Sequence, residues 1–153
     1  MLITAGTSQA YNMMTASWGG FGVLWHKNIC FCVIRPTRYT YAFMEKAQYF
    51  TLNFFEKKYK KILNFCGTKS GRDVNKMALS GLTAKKGREG VVYFSQARLV
   101  MVCKKIYFQQ ITPANFLDPK IEENYPDKDY HRMYVGEVME CLQKAKKQKR
   151  KSK

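Results

Sequence analysis

The sequence has little of what marks membrane, fibrous or metal-binding proteins. Its longest apolar run, Ile29 to Ile34, is far shorter than the ~20 residues that cross a bilayer as a helix. Ten glycines and four prolines in 153 residues exclude collagen-like and linker-like chains. The two histidines, His26 and His131, have no second ligand at metal-binding spacing, so no zinc or iron site is expected.

Disulfide and secretion signals are also missing. The five cysteines form no CxxC pair, and most stand in apolar stretches, where a thiol behaves as a small hydrophobic group. The first residues contain no basic segment followed by an apolar one. We therefore expect a soluble, cytoplasmic protein with reduced thiols that does not enter a membrane.

Positive charge and aromatic side chains are what the sequence has in excess. There are 27 Lys and Arg against 11 Asp and Glu, and 14% of the residues are aromatic. Residues 144–153 hold seven of the cations and no acid, so a basic tail over 143–153 is predicted to be disordered in solvent. The rest of the chain keeps a cationic excess, which favours a polyanionic ligand.

Strand patterns dominate the chain, and they predict a mainly β fold, a β-barrel with a few helices. Gly19 and Gly20 are expected to end the second strand and Gly136 to interrupt the last one. The third and fourth strands are expected to be buried. The predicted strands cover residues 2–4, 12–18, 22–25, 29–34, 49–55, 91–94, 98–110 and 130–142.

Helical patterns are fewer and short. Thr40 is expected to cap the first helix, Gly67 to follow the end of the second and Gly81 to close the third. Residues 115–125 form a loop or a short helix. The predicted helices cover residues 41–46, 56–66 and 73–79.

The segment from Arg35 to Tyr41 is a candidate anion site. It places two guanidinium groups, threonine hydroxyls and a predicted helix start within seven residues, directly after a predicted strand. Arginine forks, hydroxyls and free backbone amides all donate to phosphate oxygens. An ordinary helix start with surface arginines fits the same residues, and the spacing alone leaves both interpretations open.

Three further segments could carry chemistry. Residues 12–20 interleave small polar residues with Met and Trp, which suits a flat ring lying on backbone amides, although a tight turn with a core Trp is favoured from the residues alone. Residues 67–76 form a basic, glycine-punctuated loop without the P-loop pattern, either an anion loop or a solvated turn. His131 leads the last strand, where a structural histidine is commoner than a catalytic one.

Taken together and in this order, five stretches resemble the flavin reductase-like family, the FMN-binding split-barrel proteins. The resemblance extends over residues 2 to 142. The matching stretches are Leu2–Gly6, Asn12–Gly20, Arg35–Thr40, Ser70–Lys76 and His131–Glu137.

The resemblance implies a Greek-key split barrel over residues 1–142 that pairs into a homodimer, with one FMN per subunit. Relatives usually carry residues ahead of the strand that opens this sequence, so either the family's N-terminal strand is missing here or the barrel is completed differently. The implied FMN site has Asn12, Thr15, Ser17 and Trp18 along the ring and ribityl chain, Arg35, Thr37, Arg38 and Thr40 at the phosphate, and Ser70 and Lys76 closing over the cofactor. His131 is the implied catalytic residue, near the electron donor.

The function implied is that of a flavin reductase-type oxidoreductase, which passes electrons from NAD(P)H through FMN to an acceptor that the sequence does not name. One alternative is an FMN electron carrier that serves a redox protein partner without nicotinamide activity. A different class, a basic nucleic-acid-binding β-barrel, would use the aromatic residues for base stacking. The last is disfavoured because the basic residues cluster in loops and the tail.

Overall fold

A computed structural model describes residues 1–144. Of the basic tail predicted over 143–153, Gln143 belongs instead to the last strand, and residues 145–153 lie outside the described residues. The strands are β1 (Leu2–Gly6), β2 (Tyr11–Thr15), β3 (Gly19–Leu24), β4 (Lys27–Ile34), β5 (Tyr49–Phe54), β6 (Ala84–Lys86), β7 (Val92–Phe94), β8 (Leu99–Gln110) and β9 (Arg132–Gln143). The α-helices are α1 (Tyr39–Lys46), α2 (Lys60–Thr68) and α3 (Lys76–Ser80). No helix among these residues is long and apolar enough to cross a membrane.

Seven of the strands form one antiparallel sheet in the order β2-β1-β5-β8-β9-β4-β3, and β6 and β7 form a separate ribbon. The two edge strands, β2 and β3, are consecutive in the chain and separated only by residues 16–18. The sheet must therefore curl until its edges approach. Two hydrogen bonds between Met1 and Ala16 extend the β1–β2 pairing, and at this end a Cβ on Gly19 of β3 would lie 2.9 Å from Met1 Cε. The mainly β, barrel-like prediction is confirmed.

The core has two parts, one on each face of β5. Phe50 and Leu52 point into the barrel, with the buried residues Ile3, Cys30, Ile34, Met44, Cys103 and Tyr134. Thr51 and Asn53 point outward, as their alternation predicts, but they too are buried, because the β7 ribbon covers them. Thr51 donates to the Val92 carbonyl at 2.6 Å, and Asn53 Oδ1 accepts from the Phe94 amide at 3.2 Å.

The three predicted helices exist, with different ends. Thr40 lies inside α1 and does not cap it, since the helix already begins at Tyr39. Gly67 lies inside α2, where a Cβ would be 3.4 Å from the side chain of Thr15. Gly81 does end α3 in the left-handed conformation, with φ of 67°.

Three predictions about strands are wrong. Gly19 and Gly20 do not end the second strand, because β2 ends at Thr15 and both glycines lie in β3. The strand β3 begins at Gly19 and is not buried, because it is a sheet edge with Phe21 55% and Val23 73% exposed. Gly136 does not interrupt β9, which runs straight through it. A Cβ at Gly136 would lie 2.7 Å from the Phe50 ring, so this glycine makes room for a core aromatic side chain. Residues 115–125 are mostly short 3-10 turns.

Candidate functional site

A small cavity of about 150 Å³ lies at the start of α1. Three elements meet there: the tip of α1, the end of α2 and the loop before α3. The cavity brings together five of the residues predicted to bind phosphate or close over the cofactor, namely Thr37, Arg38, Thr40, Ser70 and Lys76. We call it the tip cavity.

Two cations of the tip cavity hold the end of α2. Arg38 Nη2 donates to the Gly67 carbonyl at 2.7 Å, and Lys76 Nζ donates to the carbonyls of Cys66 at 2.9 Å and Met13 at 3.0 Å. Lys76 is only 5% exposed. Burial lowers the pKa of Lys76, and the nearby charge of Arg38 lowers it further. Burial and the charge of Arg35 lower the pKa of Arg38 in the same way.

Neither cation is neutralised by a carboxylate within the part of the chain that the structure describes. The ion pairs between residues 1 and 144 involve other cations: Lys27–Glu137, Arg35–Asp129, Lys58–Glu56 and Arg132–Glu45. Removing charges from water is costly unless they are paired. An anion in the tip cavity would supply the missing negative charge for both Arg38 and Lys76.

Neutral donors surround the same cavity. No side chain caps the start of α1, so backbone N–H groups of its first turn keep their capacity to donate. Thr40 Oγ1 accepts from Asn12 Nδ2 at 2.8 Å, and Ser70 Oγ accepts from the Arg72 amide at 3.1 Å. Because both hydroxyls act as acceptors in these bonds, their own hydrogens are free for a ligand. Cations, amides and hydroxyls together form the donor set that a phosphate needs.

A second cavity, of about 270 Å³, adjoins the first through Arg38, which lines both. We call it the Trp18 cavity. It is built on the short connection between β2 and β3, which brings Thr15, Ser17 and Trp18 to one wall. Arg35 and His131 line it as well. Trp18 is 45% exposed, so its indole is available for stacking with a flat ring.

His131 packs against Trp18, with ring centres 4.8 Å apart. Its Nδ1 lies 3.0 Å from the hydroxyl of Tyr125. Burial lowers the pKa of His131 to about 4, the charge of Arg35 lowers it too, and Asp129 opposes them. The ring is therefore neutral at pH 7, which suits a residue that orients a ligand by a hydrogen bond and not by charge.

Arg35 is engaged away from the tip cavity. Its Nη1 pairs with Asp129 Oδ1 at 2.5 Å and its Nη2 donates to the Asn124 carbonyl at 2.6 Å, while Thr37 Oγ1 donates to Asp129 Oδ2 at 3.3 Å. These bonds tie the connection between β8 and β9 to the tip of α1. Contact of Arg35 with a phosphate stays a prediction, and Arg35 reaches only the Trp18 cavity in this structure.

Asn12 does not join the other residues predicted to border the ring. It is buried behind α1, where it holds Thr40, and it lines a different cavity, of about 420 Å³, next to the loop at Gly71. Thr15, by contrast, lines the Trp18 cavity and donates to the Leu63 carbonyl of α2 at 2.6 Å. The predicted ring contact of Asn12 stays a prediction, and its observed contact is with a residue of the tip cavity.

Two residues beside the site, Tyr125 and Asp129, were not predicted from the sequence. Both lie in the connection between β8 and β9 and contact residues that line the Trp18 cavity, Tyr125 at His131 and Asp129 at Arg35. Asp129 is 94 positions from Arg35 in the chain, so no local spacing reports their contact. One of four acids within residues 122–129 gives no signal of its own.

The chain thus folds as a β-barrel with two adjoining cavities, one lined by cations and hydroxyls and the other by Trp18 and His131. The family model of the flavin reductase like domain matches residues 1–151, and the chain belongs to this family. The resemblance seen in the sequence is thereby confirmed. No curated protein matches the chain.

Solved structures of low identity share the fold. An FMN-binding protein from Thermus thermophilus with bound 1-cyclohex-2-enone is 21% identical, with 93% of this chain and 68% of that chain covered at a TM-score of 0.71. A flavoredoxin of Desulfovibrio vulgaris (Miyazaki F) is 21% identical, with 94% and 68% covered at 0.72. The NADH:FAD oxidoreductase of Streptomyces globisporus C-1027 is 14% identical, with 94% and 73% covered at 0.71. The split-barrel prediction is confirmed.

Proposed function

We propose that this protein binds FMN, with the phosphate in the tip cavity and the isoalloxazine ring in the Trp18 cavity, and acts as a flavin reductase-type oxidoreductase. Electrons would pass from NAD(P)H through FMN to an acceptor. The observation that carries the proposal is the pair of buried Lys76 and half-buried Arg38, which have no carboxylate partner among residues 1–144. They line a cavity of about 150 Å³ at an uncapped helix start.

Within this proposal the side chains bind and orient, while FMN, when bound, supplies the hydride and electron chemistry. Arg38, Thr40 and Ser70 would donate to phosphate oxygens. Lys76 would favour negative charge beside it, because its ammonium has a third hydrogen beyond the two that bind carbonyls. Trp18 and neutral His131 would form one wall of the space in which ring and donor meet.

NAD(P)H as donor is supported by membership of the family and by the NADH:FAD oxidoreductase among the similar folds. The similarity to a flavoredoxin, with a TM-score of 0.72 against 0.71 for the NADH:FAD oxidoreductase, favours a second candidate. This candidate is an FMN electron carrier that serves a redox protein and does not react with nicotinamide. The nucleic-acid-binding alternative has no comparable support from the cavities. A cytoplasmic location stays a prediction.

We also propose a homodimer formed through β3. This edge strand has free backbone groups on one side and carries the exposed apolar side chains Phe21, Val23 and Leu24, with Trp25 in the turn that follows. Exposed apolar edges of this kind are covered in most native proteins. A second copy of the same strand would cover it.

The test begins with purified protein and FMN. Uptake of FMN, followed by its visible absorption after removal of free ligand, is expected at a ratio of one per chain, and no uptake would overturn the proposal. The FMN-loaded protein is then mixed with NADH or NADPH without oxygen in a stopped-flow instrument. Bleaching of the flavin supports the reductase, whereas a flavin that stays oxidised favours the electron carrier.

A further inference from the structure

Tyr125 is buried beside the Trp18 cavity without being part of its wall. It is 3% exposed and packs against the rings of Phe116, Tyr130 and His131. Within residues 1–144, the one side-chain hydrogen bond of its hydroxyl is to His131 Nδ1, at 3.0 Å. The proposed function assigns no role to Tyr125.

The protonation states of the phenol and the imidazole determine which atom donates in this hydrogen bond. Burial raises the pKa of Tyr125, so the phenol keeps its hydrogen at neutral pH. A buried hydroxyl that does not donate leaves a costly unsatisfied group. His131 is neutral, and a neutral imidazole has one nitrogen that accepts and one that donates. The phenol therefore donates to Nδ1, and the ring proton is on Nε2.

The surroundings leave Nε2 for a ligand. Trp18 contacts the His131 ring at a tilt of 44°, Tyr125 occupies Nδ1, and no group between residues 1 and 144 forms a hydrogen bond with Nε2. Arg35, whose guanidinium lies 5.1 Å from the centre of the Tyr125 ring, is paired with Asp129. Arg38 also lines the cavity, but its guanidinium donates to the Gly67 carbonyl at the end of α2.

We propose that Tyr125 is a positioning residue that fixes His131 as an Nε2–H donor, and that the Trp18 cavity therefore takes a flat compound with a carbonyl oxygen at its edge. Trp18 would stack with the flat part and His131 would hold the oxygen. This rests on the proposed function, in which the flavin ring and its reaction partner meet at that cavity. The carbonyl could belong to the carboxamide of a nicotinamide donor or to an electron-accepting ketone.

The tautomer can be measured on the whole protein without any ligand. The chain has two histidines, so ¹⁵N-histidine labelling gives two ring systems, and the variant His26→Gln assigns them. Long-range ¹H–¹⁵N correlation at pH 7 is expected to show His131 with its proton on Nε2. A proton on Nδ1 would overturn the proposal. Because FMN is not involved, the result stands apart from success or failure of the FMN titration.

Two variants separate positioning from packing. Tyr125→Phe keeps the ring and removes the hydroxyl, and it is expected to give a mixture of tautomers and a shifted protonation curve for His131. Tyr130→Phe removes a hydroxyl from the same aromatic cluster that is bound to Glu122 instead of His131, and it should leave both readouts unchanged. Equal behaviour of the two variants contradicts a positioning role.

The ligand class is tested with FMN-loaded protein and two pairs of probes, nicotinamide with pyridine and acetophenone with toluene. The carbonyl member of at least one pair should move the Nε2–H resonance, and its partner should not. A response to nicotinamide indicates the donor, and a response to acetophenone indicates a ketone acceptor. Tyr125→Phe should weaken that binding roughly tenfold. No response to either carbonyl compound overturns the proposed ligand class.

Discussion

Replacing Arg38 by alanine is the most direct perturbation of the proposed phosphate site. Arg38 is half-buried, lines both cavities and has no carboxylate partner among the described residues, so its charge is available to an anion. Loss of one charge-assisted hydrogen bond costs about 1.5–3 kcal/mol. That corresponds to a roughly 10- to 150-fold rise in the Kd for FMN.

Riboflavin makes the experiment specific, because it has the same ring and ribityl chain as FMN without the phosphate. Titration of flavin fluorescence gives the Kd of both ligands for the native protein and for Arg38→Ala. We expect the variant to lose affinity for FMN and to keep most of its affinity for riboflavin. Arg98→Ala is the matched control, since Arg98 is exposed and lines neither cavity.

A structural effect of Arg38→Ala must be separated from the effect on binding. The side chain also donates to the Gly67 carbonyl, so the variant should lose about 0.5–1.5 kcal/mol of folding free energy, measured by urea unfolding. Arg38→Lys keeps the charge and should recover part of the FMN affinity. An equal loss of affinity for riboflavin and FMN, or no loss for FMN, would refute the phosphate assignment.

Three further predictions concern the fold and its surface. Gly136→Ala brings a Cβ to 2.7 Å from the Phe50 ring and should destabilise the protein by about 1–3 kcal/mol in urea unfolding; an unchanged midpoint would contradict this packing. Because the pKa of His131 is lowered to about 4 in the folded protein, the unfolded chain binds more protons than the folded one between pH ~6.5 and about 4. The free energy of unfolding should therefore fall as the pH falls through that window. His131→Gln should reduce the slope of the free energy of unfolding against pH. Val23→Lys should convert a dimer into a monomer in light scattering, while Lys85→Ala, on the exposed β6, should not.

Local patterns predicted most of the fold because the forces behind them are local. Alternation in β5 identified two faces correctly, and the left-handed Gly81 marked the end of α3 where a side chain would be strained. The same holds for the tip of α1. Its basic and hydroxyl residues are close in sequence, so their convergence required only that a helix begin there.

Predictions failed where a distant residue decides the outcome. A glycine within a strand pattern suggests a strand break, but at Gly136 the Phe50 ring of another strand occupies the space that a side chain would need. An apolar β3 suggests burial, yet its place at the sheet edge leaves Val23 exposed in the single chain. Asp129 was missed for the same reason, since only the folded chain brings it to Arg35.

The double role of Arg38 and Lys76 favours ligand binding over a purely structural role. Cations at the end of a helix stabilise its carbonyls, and an exposed lysine would do this without a desolvation cost. Here Lys76 is almost entirely withdrawn from water and Arg38 is half-buried, and the charge of Arg38 lowers the pKa of Lys76. Capping α2 does not require such burial or such proximity. Binding of a doubly charged anion would explain both the burial and the proximity. The anion would offset the repulsion between the two cations and would accept hydrogen bonds from the donors of the tip cavity.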